Sequence, residues 1–230
     1  MHGTLMRSAL MLLALAPLAA RPAGQAPEAG TIGGRVRLTA RVRGVPLPAN
    51  AYQPRAVNRR DAGSTPEIKN VVVYLKDAQY RGALPTTRVA ITQEHEAFTP
   101  RVVAITRGST VEFPNADPFF HNVFSLSGPA TFDLGRYPQG QSRLRAFTRA
   151  GLVKVFCHIH SHMSATILVL DHPYFVVPNL DGTFTLPQVP SGRYTIVGWH
   201  ERIGEQSAAI EVGTGRAVTI DLALPVIEAP

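Results

Sequence analysis

The sequence predicts an all-β protein. Hydrophobic residues make up 45% of the 230 residues, which is enough to fill a core, and glycine and proline occur 19 times each. Short apolar or alternating runs recur along the chain, and turn sequences separate them. Few segments show the 3.6-residue period of an amphipathic helix. We therefore expect many short strands packed as β-sandwiches.

The first twenty residues have the pattern of an export signal. Arg7 precedes an apolar run at residues 9–16, and Leu18-Ala19-Ala20 offers small residues for cleavage. The run is too short to span a bilayer comfortably, so we expect no stable membrane insertion after the signal at residues 1–20 is cleaved. An uncleaved anchor is the alternative. The expected localisation is periplasmic or otherwise exported, and residues 21–30 are expected to form a flexible leader.

Residues 31–87 are expected to supply the opening strands of a β-module. The alternating residues at 32–46 predict a strand, and the apolar run at residues 71–75 predicts a second, shorter one. Between them, residues 47–67 are rich in proline, asparagine, arginine and glycine, which favours a long loop.

The strand pattern is densest in residues 88–171. Turn sequences at residues 107–109 and 115–118, and again at residues 127–129, separate the apolar runs. This spacing is typical of a β-sandwich. The candidate strands are residues 89–92, 101–106, 110–113, 121–126, 143–148, 152–156 and 165–170.

Residues 172–230 predict a further set of strands. Turns are expected at residues 179–182, 190–192 and 213–215. The candidate strands are residues 183–186, 193–199, 208–212 and 217–224.

The chain is basic, with 23 lysines and arginines against 16 acidic residues and a formal net charge of +7. Such an excess favours acidic partners or anionic surfaces through long-range attraction, although a solvated basic surface is the simpler explanation. No sequence motif for nucleic-acid binding is present, so we expect no nucleic acid among the partners.

The single cysteine lies in a run of metal-binding side chains. Three histidines and a methionine follow Cys157 within six residues. A lone cysteine cannot form an internal disulfide, although oxidising compartments favour paired cysteines. A free thiol in such a compartment is an oxidation hazard unless it is buried, bound to a metal or catalytic. Metal binding would remove this hazard.

The spacing of the donors indicates copper. Cys157, His160 and Met163 form Cys-x-x-His-x-x-Met, a short loop that can supply three donors to one ion. A fourth donor, His121, lies thirty-six residues before the cysteine and has to come from a different strand. One thiolate, two imidazoles and a thioether suit a trigonal copper site with a weak axial ligand better than a calcium or magnesium site.

Other interpretations of the same residues stay open. Zinc also accepts thiolate and imidazole, although a methionine gives no reason to choose zinc. Cys157 can instead be a small buried hydrophobe, and Met163 can simply pack in the core. A thiol nucleophile oriented by Asn122 is a further alternative, but no helix start or oxyanion-forming turn is evident beside the cysteine.

Residues 88–171 resemble the cupredoxin family, especially its amicyanin-like and plastocyanin-like members. The matching pieces are residues 121–123 (His-Asn-Val), residues 156–163 (Phe-Cys-x-x-His-x-x-Met) and the strand at residues 165–170. The resemblance implies a Greek-key β-sandwich with one type 1 copper ion near one end. It implies that His121, Cys157 and His160 are the equatorial ligands, that Met163 is axial, and that Asn122 braces the cysteine loop. His158 and His162 depart from the family pattern, and we expect solvent exposure or proton-linked tuning for them.

The flanking segments are similar to the carboxypeptidase-regulatory or transthyretin-like β-sandwich family. Residues 181–196 carry the similarity, and residues 32–76 resemble the opening strands of the same module. The resemblance implies a second, smaller β-sandwich built from residues 31–87 and 172–230, into which the copper domain is inserted. A plain extension of one sheet is the alternative. His200 is expected to be structural or on the surface, with an approach to the copper loop or a second metal as the alternative.

The expected function is that of an exported type 1 copper protein that carries single electrons between redox partner proteins and is not an enzyme. The resemblance implies that electrons leave through the solvent-facing edge of His160. Phe119 and Phe120 are expected either to form a docking patch or to alternate between core and surface. A periplasmic copper-binding or copper-delivery protein is one alternative. A structural or carbohydrate-binding β-module with a stabilising metal is another.

Overall fold

The structure, a computed structural model, describes residues 29–39 and 66–224. Within these ranges the chain forms seventeen β-strands and one short 3-10 helix, Glu67–Asn70, which confirms the all-β prediction. None of the helical structure in the same ranges has the length and hydropathy needed to cross a membrane. The predicted export signal, nearly all of the leader and nearly all of the loop at residues 47–67 lie outside the described residues.

The strands are numbered in chain order. Two precede residue 88: β1 (Gly30–Leu38) and β2 (Val71–Lys76). Ten follow up to residue 170: β3 (Arg88–Ala90), β4 (Thr92–Glu94), β5 (Ala97–Thr99), β6 (Val102–Thr106), β7 (Thr110–Pro114), β8 (His121–Ser127), β9 (Ala130–Tyr137), β10 (Ser142–Ala146), β11 (Gly151–Phe156) and β12 (Ser164–Leu170). Five more complete the described chain: β13 (Phe175–Val176), β14 (Thr183–Val189), β15 (Gly192–His200), β16 (Gly204–Val212) and β17 (Ala217–Leu224).

The first hydrophobic core lies among strands β3 to β12. A five-stranded sheet in the order β6-β12-β11-β8-β9 and a three-stranded sheet in the order β10-β7-β3 contribute to it. The two-residue period of a strand decides which side chains enter this core. Val153, Val155 and Cys157 are all buried, whereas Lys154 and Phe156 between them are not. The same alternation that buries the two valines therefore turns the cysteine sulfur inward.

The second core is built from two segments of the chain, one that precedes the strands of the first core and one that follows them. Strands β14-β1-β17 form one sheet and strands β13-β2-β15-β16 form another. Ile32, Leu75, Ile196 and Leu222, one from each of four strands, are almost completely buried in the cluster that these sheets share. Burying a side chain of this size stabilises the fold by about 1.5 to 3 kcal/mol. The β1 strand pairs in parallel with β17, so the two ends of the described chain lie in one sheet.

A largely buried carboxylate joins the two groups of strands. Glu201 follows β15, and its carboxylate accepts hydrogen bonds from Arg101 and from Lys154, which lies on β11. Lys154 also donates to Thr166 Oγ1, at 3.1 Å. Burial raises the pKa of Glu201, but the two cations outweigh burial and hold the pKa below its usual range. The ion pairs thus connect the second core to the sheet that carries Cys157.

Several elements were not among the sequence expectations, and two of them lie close to the site: the β9 strand and the β4–β5 hairpin. The β9 strand follows the turn at residues 127–129 and pairs with β8, the strand that begins at His121. The expected strand at residues 89–92 is wrong in its extent, because β3 ends at Ala90 and Thr92 begins a separate hairpin formed by β4 and β5. His95 and Glu96 make the turn of this hairpin with positive φ angles of 54° and 55°.

Candidate metal centre

Three metal-binding atoms from distant parts of the sequence converge at one end of the five-stranded sheet. The Sγ atom of Cys157 lies 3.7 Å from Nδ1 of His121 and 3.9 Å from Nδ1 of His160. The two Nδ1 atoms are 3.0 Å apart. The sulfur and both nitrogens therefore form a compact triangle.

The size of this triangle fits a first-row metal ion. The point equidistant from the three atoms lies about 2.1 Å from each of them, and nitrogen and sulfur ligands take bond lengths of about 2.0 to 2.3 Å to zinc. One thiolate with two imidazoles is a donor set suited to copper. The spacing of the three donor atoms thus fits a bound copper ion.

Strand pairing positions the two buried donors. Antiparallel pairing of β11 with β8 sets Phe156 opposite Phe124, so the chain that leaves β11 runs towards the beginning of β8. Cys157 directly follows β11 and His121 is the first residue of β8, so both lie at this end of the sheet. His160 comes from the turn after Cys157, which closes with a hydrogen bond from the Met163 N–H to the His160 carbonyl at 2.9 Å.

Met163, the predicted axial residue, lies in the interior beside this group. Its side chain is almost completely buried and belongs to the same hydrophobic cluster as Cys157. The donor atoms of three of the four predicted ligands therefore lie close together. The fourth shares their buried surroundings, and its axial role stays a prediction.

The surroundings of Cys157 favour its thiolate form. Burial raises the pKa of the thiol, but His121 and the backbone N–H groups of Asn122, Ile159 and His160 outweigh burial and hold the pKa below its usual value. The thiolate is the form that binds metals. Several N–H groups aimed at one sulfur thus prepare it as a ligand.

The two histidines differ in their electrostatics. Burial lowers the pKa of His121, but its hydrogen bonds to Cys157 and Asp117 raise it more, so the pKa lies above its usual value. The pKa of His160 lies below its usual value because of burial and the charge of the neighbouring His121. His121 is fully buried, whereas His160 is half-buried at the surface.

Asn122 braces the cysteine loop, as the resemblance implied. Its Oδ1 atom accepts a hydrogen bond from the His158 N–H at 3.0 Å. Its Nδ2 atom donates to Oδ1 of Asp133 at 2.6 Å, and that oxygen also accepts from the Gly135 N–H at 2.8 Å. The loop is thus tied through Asn122 to the neighbouring β9 strand, which confirms the expected hydrogen bond.

Asp117 is a contact of the site that sequence analysis missed. Its Oδ2 atom lies 2.8 Å from Nε2 of His121, on the side of the ring opposite Cys157. The predicted turn at residues 115–118 does contain Asp117. No feature of that turn, however, indicates that its carboxylate points towards the histidine four residues later.

The extra histidines lie outside the triangle. His158 stacks on Phe124 with its ring 3.7 Å away and lies 3.8 Å from the Asp133 carboxylate. His162 lies 3.4 Å from the Glu96 carboxylate. Both side chains are exposed, in agreement with the expectation for them.

Apolar side chains surround the exposed edge of the site. The ring of Phe119 packs against both His121 and His160, with ring centroids 5.2 and 5.3 Å away. Phe120 is 54% exposed, and Ile159 is also exposed beside His160. Phe119 thus packs on His121 and His160 while Phe120 faces solvent, and a docking patch at these residues stays a prediction.

His200 is remote from this group and has a structural environment. It is almost completely buried, and its Nε2 atom lies 3.1 Å from the Glu67 carboxylate. Its Nδ1 atom accepts hydrogen bonds from the N–H groups of Arg202 and Ile203. These contacts agree with the structural role expected for His200.

Comparison with protein-family models and with curated proteins gave no match for this chain. Solved structures that resemble it do so over part of its length. A copper-containing nitrite reductase (NirK) from Thermus scotoductus SA-01 shows 28% identity over 41% of this chain, with a TM-score of 0.34. The aligned part is 24% of the reductase, so this chain corresponds to about a quarter of that protein.

Two smaller proteins show similar partial likeness. Amicyanin from Paracoccus versutus shows 25% identity over 38% of this chain and 85% of its own, with a TM-score of 0.34. A purple cupredoxin from Nitrosopumilus maritimus shows 22% identity over 34% of this chain and 85% of its own, with a TM-score of 0.31. Because these TM-scores are low, the assignment of the metal centre rests on its donor geometry.

Proposed function

We propose that the protein binds one type 1 copper ion and carries single electrons between redox partner proteins. The observation that supports this proposal most strongly is the triangle of Cys157 Sγ, His121 Nδ1 and His160 Nδ1. Bound copper would supply a one-electron couple at this triangle. We assign His121, Cys157 and His160 as equatorial ligands and the buried Met163 as the axial ligand.

The protein contributes a rigid set of donors. His121 lies in β8 and Cys157 directly follows β11, and these two strands pair with each other, so their separation is set by the sheet. Asn122 holds the loop between Cys157 and His160 through the His158 N–H. Donors that keep their places in both oxidation states require little rearrangement when an electron is gained or lost.

Burial keeps water away from most of the site. His121, Cys157 and Met163 are each at most 3% exposed. A dry, apolar environment also influences the redox potential of a metal centre. His160 is the donor that reaches the surface, so we propose its ring edge as the point where electrons leave.

The surface around His160 suits a transient partner. Phe120 and Ile159 supply exposed apolar area, and weak redox complexes need only small interfaces. The net charge of +7 favours partners with acidic surfaces. We propose docking of such a partner over Phe120, Ile159 and the edge of His160.

Redox cycling tests the carrier function. Purified protein is loaded with copper, reduced and reoxidised repeatedly, and its bound copper is measured after each cycle. The proposal predicts a reversible one-electron couple with constant copper content. Loss of copper on each reduction would contradict it.

Copper delivery is the second candidate, favoured by two exposed histidines. His158 and His162 both flank His160 on the outside of the loop and are accessible to solvent. Such side chains can pass a metal ion to an acceptor. Rapid transfer of copper to a metal-free acceptor protein, slowed in a His158→Ala, His162→Ala double variant, would favour delivery over electron transfer.

The remaining assignments are proposals about the context of this site. We propose that residues 88–171 form the copper domain, inserted between residues 31–87 and 172–230, because the two cores divide at about these positions. The carboxypeptidase-regulatory likeness of the second unit remains a prediction. We propose export from the pattern of residues 1–20, and a carrier function rather than an enzymatic one.

A further inference from the structure

We propose that Asp117 is a positioning residue for the copper ligand His121 and that its charge lowers the reduction potential of the site. This inference rests on the proposed copper function. Asp117 lies outside the Cys-x-x-His-x-x-Met loop and precedes His121 by four residues. Its link to the site is the hydrogen bond between its Oδ2 atom and His121 Nε2, at 2.8 Å.

The hydrogen bond selects one form of the histidine. With a proton on Nε2 pointing at the carboxylate, the Nδ1 atom of His121 keeps a free lone pair towards Cys157 and His160. Metal-bound histidines usually donate their second N–H to a carboxylate or carbonyl, which fixes the tautomer and the ring orientation. Asp117 therefore presents the nitrogen that faces the sulfur as the metal-binding atom.

Hydrogen bonds hold both the carboxylate and the backbone of Asp117 in place. Its oxygens accept hydrogen bonds from the N–H groups of His95 and Glu96, at 2.6 and 3.0 Å. The backbone N–H of Asp117 donates to Asn115 Oδ1 at 3.0 Å, which fixes the backbone from which this carboxylate extends. Asp117 thus connects the turn of the β4–β5 hairpin to His121.

The charge of Asp117 is sheltered from solvent. The residue is 6% exposed, and in the part of the chain that the structure describes no lysine or arginine forms an ion pair with it. Its hydrogen-bonding neighbours are the N–H groups of His95, Glu96 and His121. A carboxylate can accept a hydrogen bond from each of these three donors. A buried, unscreened negative charge acts more strongly on its neighbours than an exposed one.

The sign of the effect follows from charge balance. With a thiolate and two neutral imidazoles, a Cu(II) site carries one positive charge more than a Cu(I) site. A nearby negative charge stabilises the more positive state, and a carboxylate on the histidine also raises the basicity of that ligand. Both effects favour the oxidised protein, so removal of the charge should raise the reduction potential.

Asp133 supplies a matched control. It is also a carboxylate close to the site; it reaches the cysteine loop through Asn122 and lies 3.8 Å from the exposed ring of His158. Its side chain is 56% exposed, so solvent and salt screen its charge. The Asp133→Asn substitution removes the same charge without touching a proposed ligand.

Reduction potentials of the two variants test the inference. Asp117→Asn is expected to raise the potential clearly more than Asp133→Asn, and to weaken copper binding by about tenfold or more. Equal potentials and equal copper affinities in the two variants would overturn it. Circular dichroism of each metal-free variant shows whether it is folded.

A second measurement uses the unaltered protein and stays decisive if Asp117→Asn does not fold. In the metal-free, ¹⁵N-labelled protein, the Nε2 proton of His121 should be visible by NMR and exchange slowly with solvent. The exposed ring of His162 serves as the internal reference. An unprotonated Nε2 of His121, or exchange as fast as that of His162, would overturn the inference.

The two proposals fail in different ways. If the copper-loaded protein shows no one-electron couple, the carrier function fails, while the NMR measurement on metal-free protein still decides whether Asp117 orients His121. If the couple is present but Asp117→Asn behaves like Asp133→Asn, the role of Asp117 fails and the carrier function stands.

Discussion

The sulfur of Cys157 lies 3.7 Å from Nδ1 of His121, although thirty-six residues separate them in sequence. Pairing of β11 with β8 produces this approach, so the sheet, rather than the cysteine loop alone, sets the geometry. A metal bound here would link two strands and the loop carrying His160. Metal binding, redox properties and stability should therefore be coupled.

Copper should stabilise the folded protein strongly. A ligand that binds only the folded state adds about 4 kcal/mol to the free energy of unfolding at a free concentration one thousand times its dissociation constant. The expected result is a clear rise in thermal midpoint when copper is added to metal-free protein. His158→Ala, which leaves the triangle intact, should show the same rise. A rise that persists in Cys157→Ala would contradict the ligand assignment.

Replacing Met163 should alter the potential more than the copper content. Met163→Leu keeps the buried volume, so it should cost less than about 1.5 kcal/mol of stability. Loss of the thioether donor in an apolar position disfavours Cu(II), and we expect a higher potential with copper still bound. Met163→Gln, which offers an oxygen donor, should shift the potential the other way. Complete loss of copper from Met163→Leu would contradict an axial role.

Glu201→Gln should destabilise the protein although it lies away from the proposed ligands. It removes the charge that pairs with Arg101 and Lys154, both about one-third exposed, and the expected cost is about 1 to 3 kcal/mol. The matched control is Glu211→Gln, because Glu211 and its partner Arg193 are 70% and 86% exposed. That exposed pair should contribute less than about 1 kcal/mol. Denaturant unfolding curves that are identical for both variants would rule out a structural role for the buried carboxylate.

His200 should make stability fall in mild acid. Burial lowers its pKa from the usual 6.5, Glu67 and Glu201 act in the opposite direction, and Arg202 adds to the lowering. Since the folded pKa is depressed, the unfolded chain binds the proton more readily, and the stability present above pH 6.5 is lost as pH falls towards the folded pKa. The Nδ1 atom, moreover, already accepts two backbone hydrogen bonds, which a proton would displace.

Unfolding of metal-free protein between pH 5 and 8 measures this effect. His200→Asn keeps an acceptor near the Nδ1 position but does not titrate in this range. The stability of the unaltered protein relative to this variant should therefore decrease as the pH is lowered through about 6.5. A difference that stays constant with pH, or grows in acid, would show that His200 does not carry the effect.

The sequence predicts the local part of the site well. Cys157, His160 and Met163 lie within one short loop, so their spacing alone indicates that they share one metal ion. Burial of Cys157 follows from its place in the alternation after Val153 and Val155. His121 follows from donor chemistry, and the family resemblance gives it an equatorial role. Its approach to Cys157 cannot be derived from local patterns, because it depends on strand pairing across thirty-six residues.

Features that depend on long-range contacts could not be predicted from the sequence. The β9 strand contains Asp133, Gly135 and Arg136, whose side chains are exposed or absent, so its apolar signal is weak. The β4–β5 hairpin turns at His95 and Glu96, which are not the asparagine or glycine typical of such turns. Since the carboxylate of Asp117 is held by that turn, its contact with His121 depends on a hairpin that the sequence does not reveal.

A visible absorption spectrum of the copper-loaded protein, recorded beside Cys157→Ser, tests the central claim most directly. The account predicts an intense thiolate-to-copper charge-transfer band in the unaltered protein and its loss in Cys157→Ser, with both metal-free proteins folded. Absence of the band from copper-loaded unaltered protein, or its survival in Cys157→Ser, would contradict the assignment.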